Sequence, residues 1–271
     1  SSEGIVRKAT NLICTISDDR GEEVLYAGKP LSRVMDDQMG IGGVIGLLWF
    51  KKEIPPWAAE FIELVLQIVA DHGPAVSAAH NAIVASCAGK DLISSLASGL
   101  LTIGPRFGGA IDDAAREFKR ARDSGLSPEQ FVREMKSAGI NIPGIGHRIK
   151  SVKNPDKRVE LLIGYARENF ARTDLLDYAL QVQEITTAKK GNLILNVDGC
   201  IGILFIDLMS SCDVFDERDI DDVIKYGYLN GLFALGRSIG IIGHILDQKR
   251  LESRLYRHPQ DDIAYMLPDF E

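Results

Sequence analysis

Residues 144–148 read Gly-Ile-Gly-His-Arg, and about fifty positions later the chain reads Asn196-Val197-Asp198-Gly199. Both are short polar islands in apolar surroundings. An imidazole and a carboxylate on glycine-flanked turns can move protons near neutral pH, provided the fold pulls their pKa values towards 7. A third island, Asp71-His72-Gly73-Pro74, stands upstream, and Gly236-Arg237-Ser238 and Arg257 stand downstream. Imidazoles, one carboxylate and several arginines suit a small polycarboxylate whose carbon skeleton is rearranged. The planar guanidinium fork can bond both oxygens of a substrate carboxylate.

The elements that must carry these islands are almost all helical. Residues 12–27 alternate and turn like a hairpin, with Asp18-Asp19-Arg20-Gly21 at its tip. After it, Pro55-Pro56 can open a helix whose apolar residues Trp57, Phe61, Leu64, Val65 and Ile68 recur at helical spacing. Residues 75–103 are rich in Ala, Ser and Gly and predict a tightly packed internal or subunit-interface helix. Ser127-Pro128-Glu129-Gln130 is a capping box with Gly139 as the stop. Thr173 can cap a helix running to Lys189-Lys190. The stretch from Asp216 to Arg257 predicts one or two long helices broken near Gly236 or Gly240. Glycine and proline cluster at 104–109 and 139–146, as hinges do. The expected fold is mainly α with a small N-terminal β-hairpin. Its expected domains are a large one from 1–106 and 225–271 and a small one from 107–224.

Composition narrows the partners. A chain of 271 residues with net charge −7 lacks the positive field of a nonspecific nucleic-acid binder. Four scattered cysteines without a C-x-x-C pair fit a reduced, cytoplasmic setting. No apolar run reaches a membrane-spanning length, and the start, Ser1-Ser2-Glu3-Gly4, has no secretory pattern and reads as a fragment or processed product. Several motifs are set aside. Gly40-Ile41-Gly42-Gly43-Val44-Ile45-Gly46 has Ile where a dinucleotide fingerprint needs its third glycine, and predicts a turn before a packed segment. Gly89-Lys90 lacks the earlier glycine of a P-loop, and no G-x-S-x-G elbow occurs. His72 and His80 are poorly spaced for a metal. Neither a metal nor a nucleotide cofactor is expected.

The ordered set Asp71-His72-Gly73-Pro74-Ala75-Val76-Ser77, Gly104-Pro105-Arg106-Phe107-Gly108-Gly109-Ala110, the 144–148 island, Asn196-Val197-Asp198 and Gly236-Arg237-Ser238 resembles the citrate synthase superfamily. It is closer still to the C-terminal, citrate-synthase-like portion of the ATP-citrate lyases, over essentially the whole chain. The resemblance implies a two-domain helical fold that closes over its substrate and cleaves citryl-CoA to acetyl-CoA and oxaloacetate. His147 then resembles the histidine at the oxaloacetate carbonyl, taking the citryl hydroxyl proton in cleavage. Asp198 resembles the carboxylate that exchanges the acetyl-methyl proton, with burial near Val197 and Ile201 raising its pKa. His72 resembles an oxaloacetate-binding histidine, and Arg237 and Arg257 resemble carboxylate clamps, Arg257 reaching the site of a neighbouring subunit. Arg158 is a further clamp, displaced by two residues from the family's Asp-Pro-Arg.

Coenzyme A is implied as part of substrate and product, held by the Gly144, Ile145 and Gly146 backbone with Arg148, Lys189 and Lys190 near its phosphates. Phe107 stands where citrate synthases carry the histidine that stabilises the enol. Loss of one such donor costs about 3–4 kcal/mol, which favours cleavage over synthesis. A homo-oligomer, of dimer-of-dimers type, and an ATP-dependent ligase portion are the implied partners. A stand-alone citryl-CoA lyase and a CoA-binding assembly domain without independent catalysis are the alternatives.

Overall fold

A computed structural model describes residues 11–268. A hairpin forms within the expected stretch, with β1 Ser17–Asp18 antiparallel to β2 Leu25–Tyr26 and Ser17 opposite Tyr26, so that Asp18 belongs to the strand and not to the tip. A third strand, β3 Lys29–Pro30, adds to β2. The two turn residues between them, Ala27 and Gly28, have φ of 50° and 86°. Left-handed backbone at both central positions matches the strand twist of a tight hairpin.

Helices follow: α1 Leu31–Asp36, α2 Gly40–Phe50 and α3 Pro56–Val69. The glycine run at 40–46 is not a turn before a packed segment; it is the first two turns of α2 itself. A Cβ on Gly42 would overlap the Ala59 carbonyl, so the missing side chains let α3 lie backbone-close. The segment 75–103 forms two helices rather than one, α4 Ser77–Cys87 and α5 Leu92–Leu100. Gly89, at φ +88°, turns the chain, and Asp91 caps α5 by accepting from the Ser94 amide.

Then come α6 Ala110–Asp123, α7 Pro128–Ser137, α8 Lys157–Asn169, α9 Asp174–Lys189, α10 Val197–Ser211, α11 Glu217–Tyr226 and α12 Tyr228–Arg250. The capping box at Ser127 is present on both sides, with Gln130 returning the bond. Thr173 occupies the cap position of α9 without a side-chain capping bond. The buried carboxylate of Asp207 on α10 does that work instead, accepting the Leu175 and Leu176 amides at 3.0 and 2.9 Å. The long C-terminal stretch breaks at Gly227, φ +72°, not at Gly236 or Gly240. A residue free to enter the left-handed region ends a helix; a glycine at a helix contact continues it. Of the described helices, α12 alone has the length and mean hydropathy to cross a membrane. Its Ile241 and Ile245 are core residues of the protein.

Contacts divide the chain into two compact units, one of Ser1–Val65 with Ile111–Leu229 and one of Leu66–Ala110 with Asn230–Glu271. This division differs from the expected one of 1–106 with 225–271 against 107–224, since the chain up to Val65 groups with its middle. The first unit packs around Phe61, Phe118, Phe131, Leu162, Leu176 and Ile203, all fully buried. The second packs Ala78 and Ala82 of α4 against Ile241 and Ile245 of α12, with Leu92, Leu96 and Phe107 alongside.

Candidate active site

In the first unit the two central islands are laced together. The Gly146 amide donates to the Ile194 carbonyl at 2.7 Å, the His147 amide to Asn192 at 3.0 Å, and the Asn196 amide to Gly144 at 2.8 Å. Asparagine side chains double two of these rungs, Asn192 donating to the His147 carbonyl and Asn196 to that of Gly146, each at 3.0 Å. Asn196 also caps α10, its Oδ1 accepting the Gly199 amide. At one end Gly144, φ +84°, meets Gly199 directly: a Cβ on Gly144 would lie 2.6 Å from the Gly199 Cα. From α9, Gln183 accepts the Leu195 amide and Thr186 donates to the Leu193 carbonyl, which holds the second strand of the lacing. Sequence segments fifty residues apart are thus fixed as one piece, with His147 and the first turn of α10 on it.

His147 is half-buried, and its ring is oriented by the backbone. The amides of Ile149 and Lys150 both donate to Nδ1, at 3.0 and 2.9 Å. A nitrogen accepting two N–H groups carries no proton, so the neutral ring bears its proton on Nε2. His147 therefore offers a donor outward, which suits a carbonyl oxygen and not the uptake of a hydroxyl proton at that nitrogen. Asp198 is half-buried in the first turn of α10. Arg158 is committed nearby: Nε and Nη2 bond both oxygens of buried Asp156, at 3.1 and 2.7 Å. That guanidinium, chiefly, holds the Asp156 carboxyl below the usual carboxylate range against the effect of burial. The pair uses the Nε–Nη2 edge of the Arg158 guanidinium and leaves Nη1 out of it.

Beside this lacing lies a pocket of about 370 Å³ lined by Lys136, Asn141, Ile142, Ile145, Lys189 and Leu193. Two of the residues expected at coenzyme A, Ile145 and Lys189, share it. Lys190 and Arg148 are exposed outside it.

In the second unit, Arg237 of α12 is 5% exposed, and its Nε donates to the Val69 carbonyl at 2.6 Å. Its guanidinium sits 4.8 Å from the Phe233 ring centroid and 5.9 Å from that of Phe107. The two rings pack edge to face. Phe107 thus helps hold an arginine rather than donating to an oxyanion. His72 and Arg257 are exposed on this unit. Arg257 lies between Tyr256, whose ring meets that of His80 edge to face, and His258, which bonds Tyr256 and Asp262.

Set beside known proteins, residues 5–259 match the family model for the citrate synthase C-terminal domain. The chain belongs to the citrate synthase family. It is 57% identical to ATP-citrate synthase of Homo sapiens over 98% of its own length and 24% of that protein's. A structure of ATP citrate lyase from Methanothrix soehngenii in complex with citrate and coenzyme A shares 81% identity and a TM-score of 0.95, over 97% of this chain and 43% of that one. The citryl-CoA lyase of Hydrogenobacter thermophilus superposes with a TM-score of 0.82 at 26% identity, over 97% of both chains. The chain thus spans less than half the length of the ATP-citrate enzymes and nearly all of the citryl-CoA lyase.

The sequence reading did not single out Asn192 or His244. The first has no signal beyond a polar residue at the edge of an island. His244 stands seven residues after Arg237, two helical turns along the same face.

Proposed function

We propose that this chain is the citryl-CoA-cleaving module of an ATP-citrate lyase. The observation that carries the reading is the lacing of the His147 turn to the N-terminus of α10, which makes donor and carboxyl parts of one rigid segment. The citrate and coenzyme A bound by the Methanothrix relative support the choice of substrate. Cleavage is a retro-Claisen step. The hydroxyl O–H electrons become the ketone of oxaloacetate as the C–C bond breaks, and the pair left on the acetyl carbon takes a proton. His147 donates through Nε2–H to the oxygen turning into the ketone, the hydroxyl proton passes to water, and water returns a proton to Asp198 once it has protonated the acetyl carbon. Asp198 delivers the proton that quenches the acetyl carbanion. His72, Arg237 and Arg257 bind the carboxylates, Arg257 in the site of a neighbouring subunit. The thioester's coenzyme A lies along Gly144, Ile145 and Gly146, with Arg148, Lys189 and Lys190 meeting its phosphates. Replacing Asp198 by Ala should abolish oxaloacetate release from added citryl-CoA, read by coupling to malate dehydrogenase. Undiminished release would overturn the role.

The reading includes self-association through the second unit. Leu235, Ile239 and Leu246 form one exposed stripe along α12, and Ile93 is exposed on α5. It also includes a cytoplasmic setting, in keeping with four unpaired cysteines, and an ATP-dependent ligase portion. The match over nearly all of the Hydrogenobacter enzyme favours a second reading, a citryl-CoA lyase that works without a fused ligase. The length of the native polypeptide separates the two.

A further inference from the structure

The face of α12 that carries Arg237 touches the end of α3 once per turn. Arg237 Nε donates to the Val69 carbonyl, the Gly240 amide to the Ala70 carbonyl at 3.0 Å, and His244 Nε2 meets Asp71 Oδ1 at 2.8 Å. Glycine is required for this approach. A Cβ at Gly236 would lie 2.5 Å from a Val69 methyl, and one at Gly240 would overlap the Ala70 carbonyl. The other Asp71 oxygen accepts the Gly73 amide at 3.2 Å, with Gly73 at φ +85°. His72 sits inside that small loop, between the clamped carboxylate and the glycine. The imidazole of His244 is 18% exposed and Asp71 45% exposed, so the pair faces neither full solvent nor a sealed core.

We infer that His244 is a positioning residue: by clamping Asp71 it fixes the turn that presents His72 on the same edge of the unit as Arg237, so that a polycarboxylate meets two preset donors. The inference rests on the proposed function, in which those two side chains hold the oxaloacetate part of the substrate. His244 itself touches no substrate. Without the clamp, the turn holding His72 loses its tie to α12 and samples other orientations. Binding of the carboxylate part then weakens while the groups on the first unit are untouched.

The test uses the intact native protein and the variants His244→Ala, Asp71→Ala, the double variant and His244→Gln, whose amide can replace the Nε2 donor. Oxaloacetate and coenzyme A affinities are measured by calorimetry and citryl-CoA cleavage by steady-state kinetics. Each alanine variant should weaken oxaloacetate binding and raise KM roughly tenfold, as loss of a hydrogen bond to a charged group does, with kcat nearly unchanged. The double variant should be no worse than the worse single one, since both remove the same link. His244→Gln should recover most of the loss, and coenzyme A affinity should stay within about twofold throughout. Additive losses, no rescue by Gln, an equal fall in coenzyme A affinity, or unchanged oxaloacetate binding would each overturn the clamp. Should one alanine variant fail to fold, the other reads the same link. A wild-type protein that neither binds oxaloacetate nor cleaves citryl-CoA would instead overturn the proposed function, which keeps the two failures apart.

Discussion

A histidine whose Nδ1 accepts two backbone amides is a donor held by its own loop, and His147 is such a residue. In the proposed reaction, its replacement by Ala removes one preorganised donor from the oxygen that becomes a ketone. We expect kcat for citryl-CoA cleavage to fall roughly a hundred- to thousandfold, with coenzyme A affinity by calorimetry unchanged. Arg237 is held differently, by one carbonyl and two aromatic rings. Arg237→Lys keeps the charge and loses both the fork and the stacking. KM for citryl-CoA should rise at least about tenfold, and the thermal midpoint should drop, measurable by circular dichroism. At this scale glycine marked in the sequence the two islands, around His147 and Asp198, that hydrogen bonds tie together. Arg158 was less legible: its partner, Asp156, stands two residues away in the chain, and spacing does not say how a guanidinium divides itself between a substrate and its own helix cap.

Helices here are fixed by groups at their ends, and one of those groups titrates. Burial pushes the Asp207 carboxyl up to about 6 from its ordinary 3.8, while the Leu175 and Leu176 amides pull the other way. The folded chain therefore binds a proton that the unfolded chain has released between those values. Stability from this group is full below 3.8 and is lost as pH rises through 6. Asp207→Asn does not titrate, so urea unfolding of this variant should show a flatter dependence across that window. Near pH 7 it should also cost about 1–3 kcal/mol, since an amide can accept from only one of the two donors without presenting its own N–H to the other. The capping box at Ser127 could be read directly because its partners are three residues apart. The cap on α9 could not, since Asp207 is distant in sequence and appears only as one acid within an apolar run. Gly236 and Gly240 looked like breaks for the same reason that Gly42 looked like a turn: close helix contact and helix termination both select glycine.

Over the whole molecule, a mainly α fold behind a small hairpin followed from apolar periodicity, while of the two glycine clusters only that at 104–109 lies beside a boundary between the units and that at 139–146 lies inside the first. The grouping of residues 1–65 with 111–229 did not follow, because it depends on packing such as Tyr165 donating to the Trp57 carbonyl. The proposed self-association makes its own prediction. Ile239→Asp places a charge in the exposed apolar stripe of α12 and should shift the protein to smaller species in sedimentation velocity, with its helical signal retained. An unaltered sedimentation coefficient would remove that stripe from consideration.

The backbone contact between Gly144 and Gly199 has a consequence for what the gene can tolerate. Neither position can change alone, and no second change can compensate, because the obstacle to any new side chain is main chain rather than a neighbour that could shrink. In a saturation library selected for growth dependent on the enzyme, both codons should return as glycine only. Gly125 shares the left-handed backbone but has nothing within 4 Å of a new Cβ, and there asparagine should survive selection.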